Sequence, residues 1–442
     1  MRSARPKVLQ PLLGLPMLEY VVRAVAEADA APVTVVVGSG ATEVAGAFAG
    51  RSLSFLTQEP QNGTGHALMT AAGAVAAHPD LSVLVVNGDL PLLRGKTLRT
   101  LLEKHRASGA TASLLTTRPE DPGAYGRVVR DGKGKVLRIV EAADASPEER
   151  ALTEINAGVY VFEGKPLLGA LKKLQPNNAQ KEYYLTDLVE ILSSEGLPLG
   201  AIEVPDADEV VGVNTLAELA TASRALRERR LLALLESGVL IEDPETTHIG
   251  ADCEVAPDAT IRPYTFLEGR TRIGKGAQVG PFVRLVSVDV GDGAQILDHC
   301  LLRESVVEEG ASIGPFAHIR PDSRVERGAK VGNFVELKKT VLGRGSKAQH
   351  LSYLGDATIG AEVNIGAGTI TCNYDGTHKH KTQIGDGAFV GSDSTLVAPV
   401  SVGAGAYVGA GSTITEDVPQ DSLALGRSRQ IVKPGWAKAR RK

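Results

Sequence analysis

Between about Ile249 and Ile414 an aliphatic residue returns at every sixth position. One unbroken run reads Ile313, Ile319, Val325, Val331, Leu337, and another reads Ile384, Val390, Leu396, Val402, Val408, Ile414. The next residue is often glycine, as at Gly314, Gly332, Gly385, Gly391, Gly403 and Gly409. A period of six matches neither an isolated helix, which repeats at about 3.6 residues, nor a strand, which repeats at about 2. It matches a solenoid of stacked coils whose aliphatic residues point into one axial core. Small residues are expected at the tight corners of such coils, where a Cβ would crowd the bend. The composition agrees, with 49 Gly and only 4% aromatic residues.

The first half of the chain has another rhythm. Val33 to Val37 and Leu81 to Val86 are short apolar runs of the kind found in a buried parallel sheet. Ala67 to Ala77 reads as a helix between them, and Ile155 to Phe162 and Ala201 to Val204 continue the alternation. This predicts an α/β layered domain ending near Ser223. Residues 224–236 (RALRERRLLALLE) predict an amphipathic linking helix, with the solenoid starting after Ser237-Gly238. A length of 442 residues is enough for two or three domains with cores of their own.

The 48 basic and 52 acidic residues give a net charge of −4, so no general pull toward nucleic acid is expected. No apolar run is long enough to span a bilayer and no signal-peptide pattern is present, so no membrane partner is expected either. Cys253, Cys300 and Cys372 are widely spaced without a CxxC, which argues against disulfides or zinc and suits a reducing cytoplasm. Lys438, Arg440, Arg441 and Lys442 read as a solvated basic tail.

Several polar residues stand at strand ends. Asp89, in Asn87-Gly88-Asp89-Leu90-Pro91, follows the run LSVLVV. A carboxylate at the carboxyl end of a parallel strand lies in the ligand crevice and can hold Mg²⁺ against phosphates; taken alone, the residue reads equally well as an Asp turn. Gln58 and Asn62-Gly63-Thr64-Gly65-His66-Ala67 lead into a helix start, where unpaired N–H groups are available to an anion. Lys7 reads as a phosphate-binding cation or as an ordinary surface lysine. Tyr125-Gly126-Arg127 and Asn177-Asn178-Ala179-Gln180 read as turns on their own.

Together these segments resemble a known family. PKVL, QNGTGHA, NGDLP, YGR, IVEAADA, INAGVY, NNAQKEYYLTD and VGVN occur in the order seen in sugar-1-phosphate nucleotidyltransferases. The solenoid resembles a left-handed parallel β-helix of the hexapeptide acyltransferase kind, and it carries IGPFAHIRP, GNFVELKK, HLSYLGDATIG and NIGAGTITCNYDG. In this order, and over nearly the whole chain, the two halves resemble the bacterial bifunctional N-acetylglucosamine-1-phosphate uridyltransferase and glucosamine-1-phosphate N-acetyltransferase.

The resemblance implies an α/β nucleotidyltransferase domain with a Rossmann-like mixed sheet (1–223), a linker helix (224–237), a hexapeptide-repeat acetyltransferase domain (238–430) and a basic tail (431–442). It implies the last two steps of UDP-N-acetylglucosamine synthesis, which feeds cell-wall peptidoglycan and lipopolysaccharide, in a cytoplasmic homotrimer. Acetyl-CoA and UTP would be co-substrates. In the first half, Lys7 would contact phosphate, Gln58, Gly63 and Thr64 would recognise uracil and ribose, and Asp89 and Asn214 would bind Mg²⁺. Gly126, Glu141, Asn156 and Tyr184-Leu185-Thr186 would line the sugar pocket. In the second half, His350 matches the general base. Arg320, Lys338, Tyr353, Asn364 and Lys379 match the pocket for glucosamine 1-phosphate. Asn373 and Tyr374 match positions near the acetyl group, and Ala367, Ser392, Ala410 and Arg427 match coenzyme A contacts.

The sequence departs from that pattern in two places. The family opens with a buried strand and a Gly-rich loop of the type LAAGxGTRM before PKVL, whereas this sequence reads Met1-Arg2-Ser3-Ala4-Arg5-Pro6-Lys7. Without the loop's N–H groups around the phosphates, and without a strand whose aliphatics contribute about 1.5–3 kcal/mol each, the first domain is expected to be crippled or badly destabilised. This points either to a start codon assigned at an internal Met or to a relic uridyltransferase domain beside a working acetyltransferase. Lys181 in NNAQKEYY stands where the family typically has Gly. Two other readings remain open on the residues alone: a nucleotidyltransferase with a non-catalytic β-helix, and a non-enzymatic scaffold.

Overall fold

The computed structural model describes Met1 and residues 3–441; Lys442 of the predicted tail and Arg2 lie outside them. The chain forms two compact units, Met1–Leu226 and the part from Arg227 on.

The first unit is built on Ile155–Glu163, which is buried along nearly its whole length and is apolar on both faces. Val159 and Val161 enter one core, with Leu18, Leu98 and Leu101. Tyr160 and Phe162 enter the other, with Leu167 and Leu188. This is the alternation a strand with helices on both faces must show. Ala112–Thr117, Arg127–Arg130 and Ser82–Val86 pair directly with it, and Leu199–Glu203 and Val136–Val140 complete a six-stranded mixed sheet.

Three expectations for this half need correction. Ser82–Val86 runs antiparallel to Ile155–Glu163, so Asp89 does not follow a strand paired in parallel. The run was read as parallel because it is uniformly apolar, yet all five residues are only half-buried. Val33–Val37 pairs in parallel with Leu53–Thr57, but as a separate two-stranded sheet; among the described residues no strand pairing joins it to the larger one. The helix expected at 67–77 is two helices, Thr64–Thr70 and Ala72–Ala76.

The linking helix spans Leu216–Glu236 and so starts well before 224. Its first turns carry little apolar periodicity for the sequence to show. Leu231 and Leu234 are buried, while Leu232 and Leu235 are exposed.

The second unit is a parallel β-helix with three sheets of 11, 10 and 9 strands. Ile313, Ile319, Val325, Val331 and Leu337 are all buried, as are Ile384, Val390, Leu396, Val402, Val408 and Ile414, and all belong to one continuous core. The small residue after the aliphatic is required by the neighbouring coil more than by the bend: a Cβ on Gly332 would lie 1.9 Å from the Gln349 carbonyl oxygen. Ile359 pairs with Leu342 below and Ile384 above. The long connection within that coil projects a loop at 373–381, closed by a bridge between Tyr374 and Lys379. Along one corner Tyr264, Phe282, His299, Phe316 and Phe334 stack ring on ring, 4.7 to 5.3 Å apart, which matches the inter-strand rise of about 4.8 Å. Among the described residues no helix is long and apolar enough to cross a membrane. In the tail, Trp436–Arg440 is a short exposed helix with the Arg440 guanidinium 4.4 Å above the Trp436 ring.

Candidate active sites

In the first unit a cavity of about 230 Å³ is lined by Thr64, Asp89, Gly126, Glu141, Asn156 and Asn214, among others. These six sequence-predicted residues come from different loops and strands. Lys7 joins them: its Nζ lies 2.6 Å from Asp89 Oδ2 and 2.7 Å from Asn214 Oδ1. The Val213 N–H donates to the Asp89 backbone carbonyl at 3.0 Å, which holds the segments of Asp89 and Asn214 together. Leu185 N–H donates to Thr64 Oγ1 at 3.1 Å, and Thr186 Oγ1 donates to Glu141 Oε1 at 3.0 Å. Burial pushes the Glu141 carboxyl up, against the lowering effect of that hydrogen bond.

Gly126 has a steric reason to be glycine, because a Cβ there would lie 2.9 Å from Ile139 Cγ2 and 3.4 Å from Glu141 Oε2. Gly63 sits at φ +98 with Tyr183 O only 2.6 Å from a would-be Cβ. Gln58 is placed behind this loop: its Nε2 donates to the Gly63 carbonyl at 2.9 Å and lies 3.1 Å from His66 Nδ1. Gln58 and Gly63 are therefore neighbours of the cavity and do not line it. Lys181 adopts φ 56, the left-handed conformation that favours glycine.

Sequence reasoning missed one lining residue, Tyr125, and one residue outside the lining, Asp187, next to Thr186. The Tyr125 hydroxyl accepts from Gly212 N–H at 3.0 Å, and burial pushes its pKa up. Asp187 is pushed up to about 6 by burial, with Glu190, Glu141 and Asp144 adding to the effect. Both lie within quoted motifs (YGR and YYLTD), but only their packing distinguishes them.

A divalent ion fits the Asp89–Asn214 pair in chemistry. Both offer hard oxygen donors, and both already converge on one cation, the Lys7 ammonium. No cluster of three or more His, Cys, Asp or Glu able to hold a metal exists among the described residues, so phosphate oxygens and water would supply the rest of the shell, as Mg²⁺ usually accepts.

In the second unit the predicted residues fall into two groups. Lys338, Tyr353, Asn373 and Lys379 gather around Asp356. Lys338 Nζ lies 2.8 Å from Asp356 Oδ2 with both side chains largely buried, and Asn373 Nδ2 donates to the same oxygen. Burial opposes the charge on Asp356, but these bonds and the nearby lysines hold its carboxyl below the usual range. Lys338 in turn lowers the Lys379 ammonium. A Cβ on Gly355 would meet both the Tyr353 hydroxyl and Asn373 Nδ2 within 2.8 Å, so glycine opens the space these groups face. Arg320 is held 2.9 Å from Glu336 Oε1, and Glu336 pairs with Tyr353 across adjacent coils. Asp356 and Glu336 are the missed residues, each legible only as a polar position within YLGDAT and FVELKK.

The other group is a column. His350 lies two residues beyond Ala348, and Ala367, Ser392 and Ala410 lie two beyond Ile365, Val390 and Val408, the buried residues that pair in register from coil to coil. Arg427 follows in the next coil, its side chain 3.8 Å from a would-be Cβ on Gly411. Asn364 sits on this sheet, in register with Lys347 and Phe389, and not with the Lys338 group. Tyr374 is exposed in the projecting loop.

The fold and these sites define a two-part transferase, a nucleotidyltransferase unit followed by a hexapeptide-repeat transferase unit. Comparison with known protein families and with the sequences of relatives agrees. A MobA-like NTP transferase domain matches residues 1–188, and the bacterial transferase hexapeptide (six repeats) matches residues 381–416. The chain is 47% identical to the bifunctional protein GlmU of Pelobacter propionicus, over 99% of this chain and 95% of that protein. It is 50% identical to GlmU of Pelotomaculum thermopropionicum, over 100% of this chain and 96% of that one. A solved UDP-glucose pyrophosphorylase complexed with UDP-glucose aligns with 51% of this chain at 16% identity and a TM-score of 0.43. The chain belongs to the GlmU family of bifunctional proteins. It is a bifunctional acetyltransferase and uridyltransferase of UDP-N-acetylglucosamine synthesis.

Proposed function

We propose that the second unit transfers the acetyl group of acetyl-CoA to glucosamine 1-phosphate, and that the first unit then joins the product to UTP. One observation carries the assignment of the first site: six matched residues spread from Thr64 to Asn214 line a single cavity, with Lys7 anchored to two of them.

In that cavity a phosphate oxygen of N-acetylglucosamine 1-phosphate attacks the α-phosphorus of UTP, and the bond to pyrophosphate breaks. Gly126, Glu141, Asn156 and Thr186 hold the sugar, Thr64 holds the uridine on a loop that Gln58 and Gly63 shape from outside the cavity, and Lys7 supplies a cation to the phosphates. Mg²⁺ held by Asp89 and Asn214 would offset the charge that gathers on the phosphate oxygens.

In the β-helix, His350 accepts a proton from the 2-amino nitrogen as that nitrogen attacks the thioester carbonyl. The C–S bond breaks and coenzyme A leaves. Imidazole suits the task because it titrates near neutrality, and a positioned base contributes about 10²–10⁴ in rate. Lys338, Lys379, Arg320 and Tyr353 receive the sugar phosphate, whose dianion accounts for the gathered cations, and Asn364, on the sheet that carries His350, binds the sugar from that side. Asn373 and Tyr374 flank the acetyl group. The column from Ala367 through Ser392 and Ala410 to Arg427 gives coenzyme A a strip to lie along. His350 and Tyr374 are exposed in the single chain, which favours a homotrimer in which a second copy covers the site. A cytoplasmic setting suits three cysteines that are all free thiols.

The test is two assays on this chain: pyrophosphate release from UTP and N-acetylglucosamine 1-phosphate with Mg²⁺, and thiol release from acetyl-CoA with glucosamine 1-phosphate. Both should be positive. Thiol release alone would mark a relic first unit; pyrophosphate release alone would mark a non-catalytic β-helix.

A further inference from the structure

We propose that Asn333 is a positioning residue for acetyl transfer. Its side-chain carbonyl accepts a hydrogen bond from His350 Nδ1–H, which fixes the imidazole in the tautomer whose lone pair is on Nε2. The proposal rests on the reading of His350 as the base.

The geometry begins with the coil register. Asn333 and His350 are paired residues of adjacent strands, Lys330–Asn333 and Lys347–His350. These are the two four-residue strands of a β-helix whose other described strands have two or three. The regular ladder is thus extended where the two side chains meet. The coils are also pressed closely together here, since only glycine at 332 leaves room for the Gln349 carbonyl. Side chains on paired positions stand side by side, and Asn333 Oδ1 lies 3.0 Å from His350 Nδ1.

The backbone around the histidine is fixed as well. Leu351 N–H donates to the Asn333 carbonyl at 3.0 Å. The His350 carbonyl accepts from Ser352 Oγ at 2.9 Å and from Gly368 N–H at 3.3 Å. With main chain and Nδ1 both held, the nitrogen left to accept a proton is Nε2.

The chemistry explains an amide at this place. A neutral imidazole has one donor and one acceptor nitrogen, and the partner of one nitrogen decides which is which. An amide oxygen accepts and so selects Nδ1–H. It does so without the negative charge of a carboxylate, which would stabilise the imidazolium and hold the proton after transfer. In the same column, positions 281, 298 and 315 of the coils below carry Pro281, Asp298 and Pro315, so the amide is placed only where the histidine needs it.

The test compares the full chain with Asn333→Leu, Asn333→Asp and His350→Ala. Asn333→Leu removes the acceptor and should lower kcat for acetyl transfer about 10–100-fold, the usual cost of losing an outer partner that orients a functional histidine. KM for acetyl-CoA and for glucosamine 1-phosphate should stay within about twofold of the original, since no binding group is removed. Asn333→Asp keeps an acceptor and so should restore the Nδ1–H tautomer, with kcat between those of Asn333→Leu and the original chain because the added charge holds the proton after transfer. Nitrogen-15 NMR of histidine-labelled protein should show His350 as the Nδ1–H tautomer, with that state lost in Asn333→Leu at an unchanged melting temperature. The proposal is overturned by an unchanged kcat in Asn333→Leu, by an Nε2–H tautomer in the original chain, or by a loss of kcat that merely follows a loss of folding. If His350→Ala still transfers acetyl groups normally, the base assignment falls and Asn333 falls with it. If His350→Ala is inactive and Asn333→Leu is not, only the role of Asn333 is lost.

Discussion

The ammonium of Lys7 lies 2.6 Å from Asp89 Oδ2, and the same nitrogen reaches Asn214. The lysine therefore stands where the two oxygens would hold a divalent ion. Lys7→Met should bind Mn²⁺ more tightly in the absence of nucleotide, because the competing cation is gone. An increase of about tenfold corresponds to about 1.4 kcal/mol, close to the lower end for a hydrogen bond to a charged group. Titration calorimetry reads this directly. A weaker Mn²⁺ affinity in Lys7→Met would show that the lysine supports the ion and does not compete with it.

Asp187 gives the first unit a pH dependence. Its folded pKa is raised from 3.8 to about 6, chiefly by burial. Well below pH 3.8 the carboxyl is protonated folded or unfolded and contributes nothing. As pH rises toward about 6 the unfolded state ionises first, so folding loses stability, and above that value the full cost remains. Asp187→Asn should therefore raise the melting temperature of the first unit at about pH 8 and leave it unchanged near about pH 3.

Lys181 occupies a backbone conformation that costs an L-residue roughly 1–2 kcal/mol. Lys181→Gly removes that strain, although glycine gives up about 0.5–1 kcal/mol through its freer unfolded chain. A net gain of about 1 kcal/mol is expected in denaturant midpoint, with no loss of nucleotidyl transfer.

The two units have separate cores. The second has one unbroken column of buried aliphatics, whereas the first has its strands divided among three sheets, one of six strands and two of two. Calorimetry should show two transitions with the first unit melting at lower temperature. The heat of the lower transition alone should respond to Asp187→Asn and Lys181→Gly.

The β-helix was legible because its period leaves little choice. Val331 must point inward for Gly332 to pass beneath the next coil, and the same constraint repeats every six residues. Strand direction was not legible, because a uniformly apolar run such as Ser82–Val86 records burial and not which way its neighbour runs. The helix at Leu216 was read too late because its opening turns, rich in Ala, have no continuous apolar stripe. The cavity residues could be picked from motifs, but the contact of Lys7 with Asp89 joins positions 82 apart. The pairing of Asn333 with His350 depends on coil register, 17 residues apart, which no local pattern displays.

The central claim is that each unit carries its own chemistry, and a double dissociation tests it most directly. Thiol release and pyrophosphate release would be measured on His350→Ala and Asp89→Ala side by side with the original chain. The account predicts that His350→Ala loses thiol release by about 10²-fold or more and keeps pyrophosphate release, and that Asp89→Ala does the reverse. If His350→Ala released thiol at the original rate, or if either substitution abolished both activities in a folded protein, the account would be contradicted.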